Sequence, residues 1–255
     1  MATVLVIDDD QRFRDLVSVA LRPAGHRVLE AGRARDAEAI LARGGVELIL
    51  IDGLLPDADG ARWIGERRKA LGAPFIFVSA FWKGGRDGRQ LQADVKPADF
   101  LRKPATAAQI LQAVQRALGG ASTPNGLSAA DLAELEAMRI DYTANVPARL
   151  AAIRQGLAQV RSRARDTVLF AETRRQVHEV AGTAGSFGME ALSEICANME
   201  QALMAWRARC DDLGWAGVAA WERALLRWEQ NRRQNEPLVG SQGRVRQSAV
   251  GANPI

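Results

Sequence analysis

Five side chains with useful chemistry fall where predicted β-strands end in the first half of the chain. Asp8 and Asp9 close the strand VLVID, Asp52 closes VELILID, Ser79 closes PFIFVS and Lys103 closes DFLRK. In an open α/β sheet, the carboxyl ends of the strands share one edge, where ligands bind. Neighbouring carboxylates repel one another unless a cation joins them, and oxygen ligands with room for water suit Mg²⁺. A carboxylate nucleophile with a metal, a hydroxyl and an ammonium makes up a phosphoryl-transfer site.

Predicted strands and helices alternate along residues 1–118, and these elements must position the five side chains. Near-continuous apolar runs are typical of parallel strands covered on both faces. The pattern predicts an α/β doubly wound, five-stranded parallel sheet of the flavodoxin-like kind. The strands are predicted at 4–8, 27–31, 46–52, 74–79 and 99–103, and the helices near 11–21, 34–43, 58–71 and 105–118.

Beyond a small polar linker, residues 119–128, no strand pattern returns. Residues 129–233 have helical periodicity throughout, which predicts an all-α antiparallel helix bundle. Residues 234–255 lose that periodicity, and we expect a disordered tail there.

The segment HEVAGTAGSFG places His178 on a helix of this bundle beside an apolar stripe. Gly182 and Gly185 follow on the histidine's own face, four and seven residues later. This helix face has no side chains at the two glycines, which lets another protein approach the imidazole closely. A neutral imidazole can accept a phosphoryl group. The alternative is a half-buried structural histidine whose glycines permit a tight helix crossing.

The stretches VLVIDDD, LILIDGLLPDADG, FVSA and DFLRKP resemble the successive signatures of the response-regulator receiver domain. The resemblance covers residues 1–118 and implies that Asp52 is the phospho-acceptor. It also implies a Mg²⁺ site in which Asp9 binds the metal directly and Asp8 through water. Asp52 and the backbone carbonyl of Leu54 complete the ligands that it implies.

The same resemblance implies that Ser79 and Lys103 contact the phosphoryl group and that Phe100 is the switch aromatic. One departure is the glycine-rich, weakly helical segment FWKGGRDGRQLQADVKPADF, where a receiver has its fourth helix.

The helical half resembles a histidine phosphotransfer (Hpt) domain. HEVAGTAGSFG fits the motif around the phospho-accepting histidine, while YTANVPARLAAI and ALSEICANMEQAL are similar to the flanking helices. The resemblance implies that His178 accepts and donates phosphoryl groups with no ATP site of its own. The docking surface would include Gly182 and Gly185. Ala181 departs from the pattern, because many Hpt domains have lysine there.

Together these features predict a two-component phosphorelay signalling protein, a phosphoprotein that transfers phosphate without a kinase ATP site. The receiver would accept a phosphoryl group on Asp52 from a histidine kinase or another phosphohistidine protein, and would catalyse its own phosphorylation and dephosphorylation. His178 would exchange phosphate with the receiver of a partner protein, and a homodimer is left open. Because a flexible linker of about ten residues spans only about 17 Å, we expect transfer in trans.

Two other interpretations compete. The helical half could be an inert docking or dimerisation module, with phosphorylation at Asp52 alone controlling assembly. A haloacid-dehalogenase-like phosphatase also uses an aspartate, Mg²⁺, a hydroxyl and a lysine, and Asp8 and Asp10 have the spacing of its first motif. Arg12 stands where that motif has Thr or Val, however, and Asp52 is then unexplained.

Charge and hydropathy limit the classes of partner that we expect. The sequence pI is about 9.6, but the net charge is only +4 and the arginines are interspersed with acids. We therefore expect no nucleic-acid partner. No apolar run approaches the roughly 20 residues that span a membrane. The N-terminal sequence has no signal-peptide pattern, so we expect a cytoplasmic protein.

Overall fold

The computed structural model describes residues 1–80, 96–119, 127–209 and 212–235 of the chain. The fourth-helix segment that departs from the receiver pattern lies mostly at 81–95, outside the described residues. The central linker residues 120–126 and the tail residues 236–255 also lie outside them.

The described N-terminal residues form one parallel sheet whose strands pair in the order β2-β1-β3-β4-β5. Central strands β1 and β3 are buried along almost their whole length, as their apolar sequences predict. This order is that of the flavodoxin-like fold, so the predicted fold class is confirmed. The strands are β1 (Thr3–Ile7), β2 (Arg27–Ala31), β3 (Leu48–Asp52), β4 (Phe75–Ser79) and β5 (Asp99–Arg102).

Helices cover both faces of the sheet. One face packs against α1 (Gln11–Leu21) and α4 (Ala107–Ala117), and the other against α2 (Ala34–Leu41) and α3 (Gly60–Leu71). The carboxylate of Asp10 caps α1 by accepting a hydrogen bond from the backbone N–H of Arg12. Side-chain caps satisfy backbone donors that a helix leaves open at its start, so α1 begins directly after the acidic residues of β1.

The described residues of the C-terminal half form helices joined by short turns. Its helices bury a continuous apolar core, and the predicted all-α bundle is confirmed. The elements are α5 (Ala129–Ser162), α6 (Thr167–Thr183), a 3₁₀ turn (Ala184–Phe187), α7 (Glu190–Arg209) and α8 (Asp212–Asn235). The helix that carries His178 thus ends at Thr183, and Gly185 lies in the 3₁₀ turn.

Helix α5 joins the two halves. It has 34 residues, which at 1.5 Å per residue gives a length of about 51 Å. Arg22, at the end of α1, pairs with Glu134 at 2.8 Å, and Arg12, at the start of α1, pairs with Asp141. Helix α5 therefore runs antiparallel to α1, towards the edge of the sheet where α1 begins.

The direction of α5 overturns the geometric reason for expecting transfer in trans. That reasoning counted only the flexible linker, which cannot span the receiver. The first turns of α5 pack on the receiver through Leu135 and Met138, and Met138 also contacts the bundle core. The helix itself carries the bundle from one end of the strands to the other.

Candidate functional site

The acidic residues predicted at the strand ends lie side by side. Strands β1 and β3 are neighbours with Ile7 opposite Ile51, so Asp8 and Asp52 occupy the next positions of adjacent strands. Both side chains are buried, and Asp9 is nearly so. The register of the sheet alone brings two carboxylates together at this edge.

The loop after β3 is folded tightly against the end of that strand. Gly60 donates its backbone N–H to the carbonyl of Gly53 at 3.1 Å. A Cβ atom on Gly60 would lie only 1.9 Å from the backbone oxygen of Asp52. Position 60 therefore requires glycine, and this close approach helps to fix the backbone of Asp52.

Lys103 lies between the two buried carboxylates. Its ammonium group contacts Asp8 Oδ2 at 2.6 Å and donates a hydrogen bond to Asp52 Oδ2. It also lies 4.3 Å from the centre of the Phe13 ring. Burial would lower the pKa of Lys103, but Asp52 and Asp8 outweigh burial and raise it, so the ammonium stays charged.

The environments of the two carboxylates separate their pKa values. Burial raises the pKa of Asp8 well above its usual range. Burial would also raise the pKa of Asp52, but Lys103 and His178 outweigh it and hold that pKa well below its usual range. The cationic neighbours of Asp52 thus favour its ionised form, which a nucleophile requires.

Other residues predicted for the site surround this pair. Ser79 ends β4, and its carbonyl accepts the backbone N–H of Lys103 at 3.0 Å. The backbone N–H of Leu54 donates to Asp52 Oδ1 at 3.0 Å. Phe100, in β5, packs edge-to-face against Phe77, with the ring centres 6.2 Å apart.

His178 is almost completely buried, with 4 % of its surface exposed. Its Nδ1 lies 2.9 Å from Glu200 Oε2, and Glu200 Oε1 accepts a hydrogen bond from Arg174 at 2.8 Å. Since an ionised carboxylate can only accept, the Nδ1 atom carries a proton. Burial would lower the pKa of His178, but its contacts with Asp52 and Glu200 raise it to about 10.

The opposite ring nitrogen of His178 faces Asp52 of the same chain. The Nε2 atom lies 3.7 Å from Asp52 Oδ1. The two predicted phospho-acceptors, which lie in separate domains, are thus in van der Waals contact.

The glycines beside His178 are in contact with the receiver half of the same chain. A Cβ atom on Gly182 would lie 3.0 Å from Lys103 Cδ, and one on Gly185 only 2.4 Å from Pro104 Cγ. The absence of side chains at these positions lets the bundle approach the end of β5 closely.

Polar contacts complete the same interface. Thr183 donates its hydroxyl to the carboxylate of Asp10, and Ser186 Oγ accepts the backbone N–H of Ala105 at 3.0 Å. Arg175 Nη1 lies 3.3 Å from Asp9 Oδ2. Ala181, where many Hpt domains have lysine, is buried.

Sequence reasoning missed the residues that hold His178 in place. Glu200 sits in α7 one helical turn after Cys196 and one turn before Leu203, both fully buried. An acid at a core position of an amphipathic helix was a signal that could have found it. Arg175 and Thr183 gave no such signal, because their roles depend on how the domains dock.

The acidic cluster matches the ligand preference of Mg²⁺. Asp8, Asp9, Asp52 and the backbone of Leu54 offer oxygen ligands only, which is the donor set that Mg²⁺ prefers. Within the described ranges, no three acidic, histidine or cysteine side chains enclose a metal-sized space. Mg²⁺ needs only one or two carboxylates and keeps several waters, so these residues fit the ion.

Comparison with known proteins matches each half of the chain to a domain family. Residues 4–115 match the family model of the response regulator receiver domain, and residues 137–231 match that of the Hpt domain. The chain therefore consists of a receiver domain followed by an Hpt domain. This combination identifies a protein of two-component phosphorelay signalling.

Individual relatives match the receiver half. The phosphate regulon transcriptional regulatory protein PhoB of Pseudomonas aeruginosa is 32% identical over 123 residues, which are 46% of this chain and 53% of the relative. The KDP operon transcriptional regulatory protein KdpE of Escherichia coli is 32% identical over 104 residues, 41% of this chain and 45% of the relative. The chain spans about half the length of these curated relatives.

Among solved structures, the chemotaxis response regulator CheY4 of Vibrio cholerae is 26% identical, with a TM-score of 0.43. The similarity covers 46% of this chain and 99% of that one. A response regulator from Thermotoga maritima is 21% identical, with a TM-score of 0.43, and covers 47% of this chain and 99% of its own. No helix in the described part of the chain is long and apolar enough to cross a membrane.

Proposed function

We propose that Asp52 and His178 of one chain exchange a phosphoryl group directly. The observation that carries this proposal is the 3.7 Å separation of His178 Nε2 and Asp52 Oδ1 across the domain interface. Residues 1–118 act as the receiver unit, residues 129–233 as the transfer unit and residues 119–128 as the linker. The exchange joins the two units into consecutive steps of a relay.

In the forward step, the Nε2 lone pair of His178 attacks the phosphorus of the acyl phosphate on Asp52. The Nε2–P bond forms as the P–O bond to Asp52 breaks, and Asp52 leaves as a carboxylate. Lys103 neutralises that carboxylate, since its ammonium already donates to Asp52 Oδ2. When bound, Mg²⁺ supplies positive charge that neutralises phosphoryl oxygens.

Glu200 positions His178 for this step. The His178 pKa of about 10 means that Nε2 must release its proton to solvent before transfer. The hydrogen bond at Nδ1 then fixes the tautomer, so that the neutral imidazole presents its lone pair at Nε2. After transfer, the phosphorylated ring keeps its Nδ1 proton and becomes cationic. The carboxylate of Glu200 then stabilises that cation, and Arg174 holds Glu200 in place.

Burial of both acceptors means that the closed arrangement excludes other proteins. Asp52 is 1% exposed and His178 4% exposed, so a phosphodonor protein or a partner receiver cannot reach either group while the domains are docked. Receiver and Hpt domains imply interaction with histidine kinases or other phosphorelay proteins. We propose that the domains separate when a phosphohistidine protein loads Asp52 or a partner receiver takes phosphate from His178.

The inert docking module explains the structure less well. A purely structural histidine needs neither a buried carboxylate on one ring nitrogen nor a nucleophilic carboxylate facing the other. The haloacid-dehalogenase-like interpretation is set aside, because residues 4–115 match the receiver family. The cytoplasmic location, the homodimer, the absence of a nucleic-acid partner and the disordered tail stay predictions.

Chemical labelling tests the exchange without a protein donor. The purified chain is incubated with a radiolabelled acyl phosphate and Mg²⁺, and the label is divided by its stability. Aspartyl phosphate is destroyed by alkali, whereas phosphohistidine survives alkali and is lost in acid. Wild type should show both labels, His178→Gln only the alkali-labile one, and Asp52→Asn neither. Alkali-stable label in Asp52→Asn, or none in wild type, would contradict the proposal.

A further inference from the structure

Arg175 of the Hpt domain reaches into the acidic cluster of the receiver. It lies on α6 one turn before His178, and its Nη1 atom is 3.3 Å from Asp9 Oδ2. The side chain of Asp9 is only 6% exposed. A metal ion therefore meets a carboxylate that is already covered by a guanidinium.

Helix α6 holds Arg175 in place independently of the receiver. Its Nη2 atom contacts Glu172 at 2.8 Å, and its Nη1 atom also pairs with Glu179. These partners lie three residues before and four residues after Arg175, at the spacing where helical side chains meet. Arg175 thus keeps two carboxylate partners even if its contact with Asp9 is broken.

A guanidinium and a magnesium ion cannot share Asp9 without cost. Arginine is always charged in proteins, so the two cations repel at this distance. Mg²⁺ also needs its ligand oxygens in near-ideal octahedral geometry and keeps its waters, which requires space beside the carboxylate. The guanidinium occupies that space on the side of the bundle.

We propose that Arg175 is a built-in competitor of Mg²⁺ for Asp9, which lowers the metal affinity of the closed protein. Metal binding and the Arg175–Asp9 contact then oppose each other by the same factor in both directions, as linkage requires. The inference rests on the proposed Mg²⁺ site at Asp8 and Asp9, but it does not depend on phosphoryl transfer to His178.

The competition also fits the charges of the acidic cluster. Lys103 balances Asp8 and Asp52, while Arg175 covers Asp9. Lys103 and Arg175 are thus cationic partners of these three carboxylates while the domains are docked, and His178 lies beside Asp52. Displacing Arg175 frees Asp9 alone, and the contacts between Thr183 and Asp10 and between Gly185 and Pro104 do not involve Asp9.

Calorimetric titration of the full chain with MgCl₂ at constant ionic strength tests this proposal. Arg175→Gln should bind Mg²⁺ about tenfold more tightly than wild type, within the usual range of coupling between sites. Arg175→Lys, which keeps the charge, should lie between the two. The matched control is Arg22→Gln, which removes another interdomain ion pair far from Asp9 and should leave the affinity near that of wild type.

The outcomes distinguish failure of the Arg175 competition from failure of the Mg²⁺ site itself. Equal or weaker Mg²⁺ binding in Arg175→Gln overturns the competition while leaving the metal site in place. Equal tightening in Arg22→Gln also overturns it, because general loosening of the interface then explains the gain. Binding that is absent from every variant, or unaffected by Asp9→Asn, overturns the metal site as well. The Mg²⁺-induced rise in Tm, which should be larger in Arg175→Gln than in wild type, gives a second readout.

Discussion

His178 Nε2 and Asp52 Oδ1 face each other at 3.7 Å across the interface between the two domains of one chain. Each residue is held by its own domain. Asp52 is fixed by the end of β3 and by Lys103, and His178 by Glu200. The pairing depends on docking, and substitutions at the interface therefore separate the chemistry of the site from its assembly.

Gly185→Ala should disrupt docking without disturbing the bundle. The added Cβ would lie 2.4 Å from Pro104 Cγ, whereas its nearest contact within the bundle, Ser193 Cβ, is at 3.4 Å. Because the proline ring cannot move aside as a flexible chain would, the domains must shift apart. A misplacement of about 1 Å can cost about 100-fold in rate, and we expect a loss of that order in transfer from Asp52 to His178.

The matched control for this substitution is Gly217→Ala. Its Cβ would meet Ala202 Cβ at 3.8 Å, an ordinary contact between helices of the bundle. Transfer rates follow from the appearance of alkali-stable label after loading with an acyl phosphate. An unchanged rate in Gly185→Ala would show that exchange does not use the docked arrangement.

Glu200→Gln should lower the pKa of His178. The carboxylate of Glu200 helps to raise that pKa to about 10, and the neutral amide removes its charge. In a His26→Asn background, His178 is the single histidine of the chain, so its ring signals are followed by NMR as the pH changes. We expect a clear fall in the pKa of His178. Transfer should be slower, because the phosphorylated ring loses the carboxylate that stabilises its positive charge.

Glu194→Gln serves as the control for Glu200→Gln, since Glu194 lies exposed on the same helix. That variant should leave the titration of His178 unchanged. If Glu200→Gln titrates like wild type, then Glu200 does not set the protonation of the ring.

The stability of the folded chain should depend on pH through His178. Its pKa is about 10 in the folded protein against 6.5 in the reference state, so the folded protein binds this proton more tightly. The resulting stabilisation is complete below about pH 6.5 and is lost as the pH rises through about 10.

Urea unfolding of wild type and His178→Gln at about pH 6 and about pH 9.5 measures this contribution. The advantage of wild type should shrink by about 1 kcal/mol or more between the two conditions. A constant difference across the range would mean that folding leaves the pKa of His178 unchanged.

The sequence predicted those parts of the site that depend on local structure. Asp8 and Asp52 follow or close strands with near-continuous apolar runs, and Lys103 follows the short strand DFLR. The parallel sheet then brings them together. His178 was predicted from a motif on one helix. In each case, a few neighbouring residues determine the position.

The contacts between domains could not be predicted in the same way. The pairing of Arg175 with Asp9 joins residues 166 positions apart, and that of Thr183 with Asp10 joins residues 173 apart. Both depend on the direction of α5 along α1. Helical periodicity predicted helices in this half, but it does not say against what the first turns of a helix pack.

The concentration dependence of phosphoryl transfer tests the central claim most directly. Wild type is loaded at Asp52 with an acyl phosphate, and the growth of alkali-stable label on His178 is followed over about a hundredfold range of dilution. Exchange within one chain predicts a first-order rate that does not change with protein concentration. It also predicts that a mixture of Asp52→Ala and His178→Ala chains transfers far more slowly than wild type. A rate proportional to concentration, with full complementation in the mixture, would contradict the account.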